Sequence, residues 1–252
     1  MTSILTLSPA KPVRTGGTRL HLLPECVLSQ GGRELRLRPR AQRLLVLLAT
    51  HRGRRLPRAM VAGTLWPDVT GARAYASLRS TLRELPRVPA VVVAEDDGLR
   101  LGRAVRVDWV AAERVARKVL ARQGRFPARV AVPLLRHPLL PHWSEDWLAD
   151  EQYAFAQLRV HALESLCRRL SDDGIHGTAI ETGLLAVSCD PLRESAQEVL
   201  VRAHLAEGNR CLALEQVRRY ELLLSAELGV PPGPRLLDLV GGDARISGSR
   251  RA

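Results

Sequence analysis

A chain of 252 residues, 46% of them hydrophobic, has the material for one large domain or two small ones with a proper core. Its formal charge of +12 lies entirely within residues 1–107, where 19 Lys+Arg stand against 7 Asp+Glu; the remainder carries 19 of each. That asymmetry implies a basic module that meets a polyanion, followed by a neutral module with a different task. It excludes neither DNA nor RNA by itself.

Residues 1–16 read as a tail. Thr18–Leu23 and Glu25–Leu28 are strand candidates, Gln30-Gly31-Gly32 is a turn signal, and Glu34–Leu37 alternates with period two, so a small antiparallel sheet is expected at the front. Pro39 opens a helix whose body, Ala41–Thr50, is too apolar all round for a surface element and should be central to its domain. Gly53 ends it, and the basic link Arg54-Arg55 follows. Pro57 is expected in the first turn of a second helix reaching about Leu65, with Ala59, Met60, Val61, Ala62 and Leu65 in or near its buried side. Trp66-Pro67 stops that helix, because proline disfavours helical backbone at the residue before it.

Asp68–Thr70 then connects to a third helix, Gly71–Leu85. Wound at about 100° per residue, it gathers Tyr75, Leu78, Leu82 and Leu85 on one side and sends Arg73, Ala76, Ser77, Ser80 and Arg83 to the other. Small residues allow close approach to a major groove, and Arg can grip guanine O6 and N7 in a bidentate pair. The same wheel also fits an ordinary surface helix. Its position decides between them: it follows a helix-turn and precedes a hairpin, inside the only basic part of the chain. In that hairpin Val91–Val93 leads to a Glu95-Asp96-Asp97-Gly98 turn, and Leu99–Leu101 returns, forming a wing. Arg100, Arg103 and Arg106 decorate the wing or its exit, either within reach of DNA phosphates or as solvated edge charge.

The second half is helix after helix. Trp109–Gln123 repeats apolar residues at helical spacing, Arg129–Trp147 is interrupted by proline and anchored by Trp143 and Trp147, and Leu148–Leu170 is one long helix. Gly174 aligns with Gly208 and Ala179 with Ala213, each 34 residues apart, which is the period of tetratricopeptide helix pairs; a bundle without true repeats is the alternative. Residues 241–252 read as a tail. Overall the pattern predicts a mainly α protein with small β-sheets: a winged helix-turn-helix domain over 17–107 and an all-α, tetratricopeptide-like domain over 108–240.

Catalytic constellations are not found. The seven histidines, at 21, 51, 137, 142, 161, 176 and 204, are dispersed and form no H-E-x-x-H; G-x-S-x-G and the Walker A motif are absent. No catalytic residue, metal ligand or cofactor is expected. Cys26, Cys167, Cys189 and Cys211 show no C-x-x-C pairing, and each is expected to act as a small buried hydrophobe. Without an apolar run of about 18 residues or a signal-type N-terminus, a cytoplasmic protein with no membrane partner is expected.

Specific wording adds a resemblance. GGRELRLRP, then RAQRLLVLLATHRGRRLPRAMVAGTLWP, ARAYASLRSTLREL and the wing resemble the OmpR/PhoB-type winged helix of SARP-like bacterial transcriptional activators. HWSEDWLADEQYAFAQLRVHALESLCRRL and the stretch from CDPLRESAQEVL to PRLLDL resemble the bacterial transcriptional activator domain that follows it in that family. There are three departures, one of them the short link Pro86–Pro89 between the third helix and the wing. Leu56-Pro57 replaces the usual Ser or Thr cap of the second helix, and the third helix carries Ala, Ser and Arg where many members carry Asn or Gln.

The resemblance implies a DNA-binding regulator that activates a biosynthetic gene cluster by binding promoter repeats. Arg73, Ser77, Ser80 and Arg83 would read bases in double-stranded promoter DNA. Arg40, Arg54, Arg55 and Arg58 would hold the backbone with the N-terminus of the second helix, Arg79 and Arg87 would be shared between base edge and phosphate, and Arg100 would serve on the wing. The helical domain would contact RNA polymerase or its sigma factor and support self-association on DNA. A protein-interaction adaptor, or a repressor that does not recruit polymerase, is the alternative.

Overall fold

A computed structural model describes residues 17–86, 88, 91–122 and 128–241. The chain divides into two compact units, with the boundary between Asp108 and Trp109. It is mainly α with small sheets, as expected.

In the first unit β1 (Thr18–His21), β2 (Val27–Gln30) and β3 (Arg33–Leu35) form the front sheet, joined by a strand that the sequence pattern did not indicate, β7 (Arg106–Val107). The order is β3-β2-β1-β7, antiparallel except that β7 lies parallel to β1. Leu20 opposes Leu28, and both are fully buried. Arg106, expected at the exit of the wing, instead pairs with Arg19 in this sheet. Asp108 closes the arrangement: its carboxylate accepts from the Leu22 and Leu23 N–H groups at 2.8 and 3.4 Å, and His21 Nδ1 lies 3.5 Å away.

Helix α1 (Pro39–Thr50) is buried continuously from Leu44 to Thr50, which is why its sequence is apolar on every side. It packs against α2 (Arg58–Leu65) and α3 (Gly71–Glu84). Pro57 is not in the first turn of α2 as expected; with Leu56 it forms the short strand β4, and α2 starts one residue later. The reason is local: β4 pairs with the wing, Leu56 opposite Leu99 and Pro57 opposite Gly98, so proline's missing N–H falls where the pairing does not need it. Within α2 only Val61, Ala62 and Leu65 are buried, whereas Ala59 and Met60 face outward, Met60 at 45% exposure. The wing itself is β5 (Val92–Glu95) and β6 (Gly98–Leu101), and the second sheet runs β4-β6-β5.

The second unit takes in α4 (Asp108–Leu120), whose Trp109, Ala112, Val115, Ala116 and Val119 are all buried, and α5 (Ala128–Leu135), which contains Pro133. The long helix α6 (Asp146–Asp172) packs against α7 (His176–Cys189) and α8 (Glu194–Glu207), and α8 packs against α9 (Arg210–Leu228) and α10 (Pro234–Gly241).

The 34-residue spacing has a backbone cause. Gly174 and Gly208 both adopt left-handed φ, +75° and +91°. The residue after each donates its N–H to the carbonyl five positions back, Ile175 to Leu170 and Asn209 to His204, each at 2.8 Å. Both helix ends are thus the same Schellman closure, where glycine avoids the Cβ clash of left-handed backbone. Ala179 and Ala213, fully buried one turn into the next helix, complete the equivalence.

A charged network ties α6 to the segment before α8. Arg193 Nε and Ser195 Oγ both donate to buried Glu164 Oε1, at 2.7 and 2.6 Å, and Arg193 Nη2 donates to His161 Nε2 at 2.6 Å. Three cysteines are buried or partly so, but Cys211 is exposed, contrary to expectation, because it lies on the outer face of α9. Among the described residues no helix is long and apolar enough to cross a membrane. Within the same residues, no cluster of His, Cys, Asp and Glu could hold a metal.

Candidate nucleic-acid interface

The central element of the site is α3. Thr70 precedes it in extended backbone, and Leu85-Pro86 ends it. Its buried side is Ala74, Leu78 and Thr81; Tyr75, Leu82 and Leu85 are only partly buried. The apolar stripe expected through Tyr75, Leu78, Leu82 and Leu85 is therefore rotated. Ala74 is small enough to sit close to the neighbouring helices, and Thr81 loses its polar cost by donating its hydroxyl to the Ser77 carbonyl at 2.8 Å.

That rotation changes which residues face outward. Ala72, Ala76, Arg79 and Arg83 are exposed at spacings of four, three and four, the outward row of a helix, with exposed Arg73 and half-buried Ser80 flanking them. Ser77 turns toward the flank and is half-buried, so Arg79 stands closer to the middle of the exposed face than Ser77 does. No charged partner among the described residues engages Arg73, Arg79 or Arg83.

Around this helix, Arg40 and Arg54 are exposed and Arg58 is half-buried. The N-terminus of α2 is partly used within the fold, since Arg58 N–H donates to the Asp97 carbonyl in the wing turn at 2.9 Å. Arg87 lies outside the described residues.

The wing differs most from a simple cationic finger. Arg55 donates to Asp96 at 3.1 Å, and Arg100 grips Glu95 through Nη2 at 2.6 Å and Nε at 3.4 Å. The Arg100 hydrogen bond is the main reason the Glu95 carboxyl is held below the usual carboxylate range. Glu95 and Asp96, which in the sequence stand out only as turn residues, hold two of the candidate site's arginines. A signal was available: the hairpin register sets Val93 opposite Arg100, and Glu95 shares the face of Val93, so Glu95 and Arg100 form a diagonal cross-strand pair.

Residues 107–241 match the family described as the bacterial transcriptional activator domain. The chain is 27% identical over 244 residues to the regulatory protein AfsR of Streptomyces coelicolor, covering 92% of this chain and 24% of that protein. It is 26% identical over 216 residues to AfsR of Streptomyces griseus, covering 80% and 22%. The chain thus spans about a quarter of the length of the curated relatives it matches. Among solved structures, Mycobacterium tuberculosis EmbR, determined in complex with a low-affinity phosphopeptide, is similar with a TM-score of 0.66 at 20% identity, over 91% of this chain and 65% of that one. This likeness is one of fold.

Proposed function

Since the chain belongs to the bacterial transcriptional activator domain family, we propose that it is a transcription regulator whose first unit binds double-stranded promoter DNA and whose helical unit recruits RNA polymerase or its sigma factor. The observation that carries the reading is the outward row of α3, Ala72, Ala76, Arg79 and Arg83, within a segment holding the whole +12 excess charge. Two alanines let the helix backbone come close to base edges, and arginines four residues apart reach neighbouring guanines or phosphates from one helix face. Arg73 and Ser80 extend the row, and Ser77 serves from the flank.

Backbone contacts fall to Arg40, Arg54 and Arg58, with Arg55 and Arg100 adding phosphate reach once DNA competes for the wing pairs, and Arg87 shared between base edge and phosphate. The neutral helical unit is suited to protein contact, because paired helices build grooves for peptides or helices. Self-association on tandem repeats and activation of a biosynthetic gene cluster are part of the proposal, as the family resemblance implies them. The similarity to AfsR supports a regulatory role.

Footprinting on the neighbouring promoter, with and without polymerase, tests the proposal. Tandem protection that strengthens polymerase binding supports it; one protected site without recruitment points to repression. An adaptor reading has one observation in its favour, the internal pairing of Arg55 and Arg100, and no shift of any promoter fragment at low salt would select it. For the base-reading face, Arg83→Ala or Arg73→Ala is expected to cost about 1–3 kcal/mol and relax one base position. If every operator variant stays bound as before, the face is wrongly assigned.

A further inference from the structure

Away from the basic unit, α5, α6 and α7 enclose a cleft of about 830 Å³. Cavities of roughly 300–1,000 Å³ hold small molecules in proteins generally. Its floor is apolar, made by Val132 of α5, Leu166 and Leu170 of α6, and Ile175 just before α7. Ile175 is 49% exposed there and offers apolar surface to a ligand.

The charges of the cleft come from three elements. Arg129 and Arg136, two helical turns apart on the α5 side, line one wall, and Arg169 of α6 joins them. Asp173, one turn beyond Arg169 at the end of α6, and Glu181 of α7 line it too. None of Arg129, Arg136, Asp173 and Glu181 takes part in an ion pair among the described residues, although all line the same cleft. Next to Arg136 lies Arg159, only 6% exposed, its Nη1 3.5 Å from the Arg136 carbonyl and its Nε without a hydrogen-bond partner among the described residues. A buried guanidinium so placed raises the positive potential at that end, where low dielectric strengthens its field.

We infer that this cleft binds a small anionic amphiphile. A carboxylate or phosphate head sits at Arg129 and Arg136, where guanidinium geometry matches it. An apolar body lies across Val132, Leu166, Leu170 and Ile175. Asp173 and Glu181 turn away molecules that are anionic at both ends. The site is independent of the DNA-binding face and of the reading given to it.

The test uses the full chain and the anionic fluorophore 8-anilinonaphthalene-1-sulfonate, competed with dodecanoate, dodecyl phosphate and dodecylammonium below their micelle concentrations. Fluorescence is expected to saturate at one probe per chain, and the two anions to displace it about tenfold better than the cation of equal length. The more effective anion identifies the head group. Arg129→Gln with Arg136→Gln should weaken the anions about tenfold, and Ile175→Asp, at an exposed position the fold tolerates, should block the apolar body. Arg218→Gln on α9, away from the cleft, should change nothing. Equal displacement by the cation, an unaltered double variant, or the same loss in Arg218→Gln would each overturn the inference.

Discussion

Asp96 sits at the tip of the wing with 91% of its side chain exposed, yet it holds Arg55, an exposed arginine on the link between α1 and α2. Surface pairs of this kind are weak, about 0–1 kcal/mol, so DNA can open it, but Asp96 also repels the phosphate that Arg55 would reach. Asp96→Asn is therefore expected to tighten DNA binding and to steepen its salt slope by about one unit, read from shift titrations at several salt concentrations. Unchanged or weaker binding would mean that Arg55 does not face the backbone. His204 gives a second case. It is 7% exposed, its Nδ1 has no partner among the described residues, and burial lowers its pKa from the ordinary 6.5, partly opposed by Glu207. The unfolded chain then takes up the proton at higher pH than the folded one, so this stability is complete above about pH 6.5 and is lost as pH falls. Thermal midpoints measured across that range should decline toward acid, and decline less in His204→Met.

At the level of elements, the Glu164 network shows how a single charge fixes a helix junction. Glu164 is buried on α6 and accepts from Arg193 and Ser195, which lead into α8. Glu164→Ala leaves Arg193 without its main partner in a largely desolvated place and is expected to cost about 3 kcal/mol of unfolding free energy in denaturant titration. A loss below about 0.5 kcal/mol would show that water replaces the carboxylate freely. The helices themselves were legible: α1 from its unbroken apolar run, α6 from its length, and the α7 and α9 starts from the glycine spacing. The face of α3 was legible only within about a quarter turn, because the larger apolar surfaces of Tyr75 and Leu82 outweigh those of Ala74 and Thr81 in a sequence pattern. Packing chose the small residues, since close helix approach rewards fit over hydrophobicity. Strands β4 and β7 were not legible at all. Two residues carry no period, and their pairing partners lie some 40 and 90 residues away in sequence.

For the whole molecule, charge separation is the property that the sequence displayed most openly, because it needs no fold to be counted: +12 up to residue 107 and zero beyond. Neutralising about six phosphates implies that the logarithm of the DNA affinity falls with the logarithm of salt at a slope near −5 for the intact chain. A flat response would count against the basic face as a nucleic-acid surface. The site residues were readable as types and neighbours, and the Glu95-Asp96-Asp97-Gly98 turn, by setting the hairpin register, also implies the Glu95–Arg100 pair; the Arg55–Asp96 pair, 41 residues apart in sequence, was not legible. The front sheet carries a consequence for biosynthesis. Its first strand, β1, has β7 as an edge partner, and Asp108 secures the end of that strand. A ribosome adding roughly 5–20 residues per second releases β7 several seconds after β1. During that interval one edge of β1 stands open, so the nascent first domain matures only when its last strand has left the exit tunnel, just as the helical domain begins to appear.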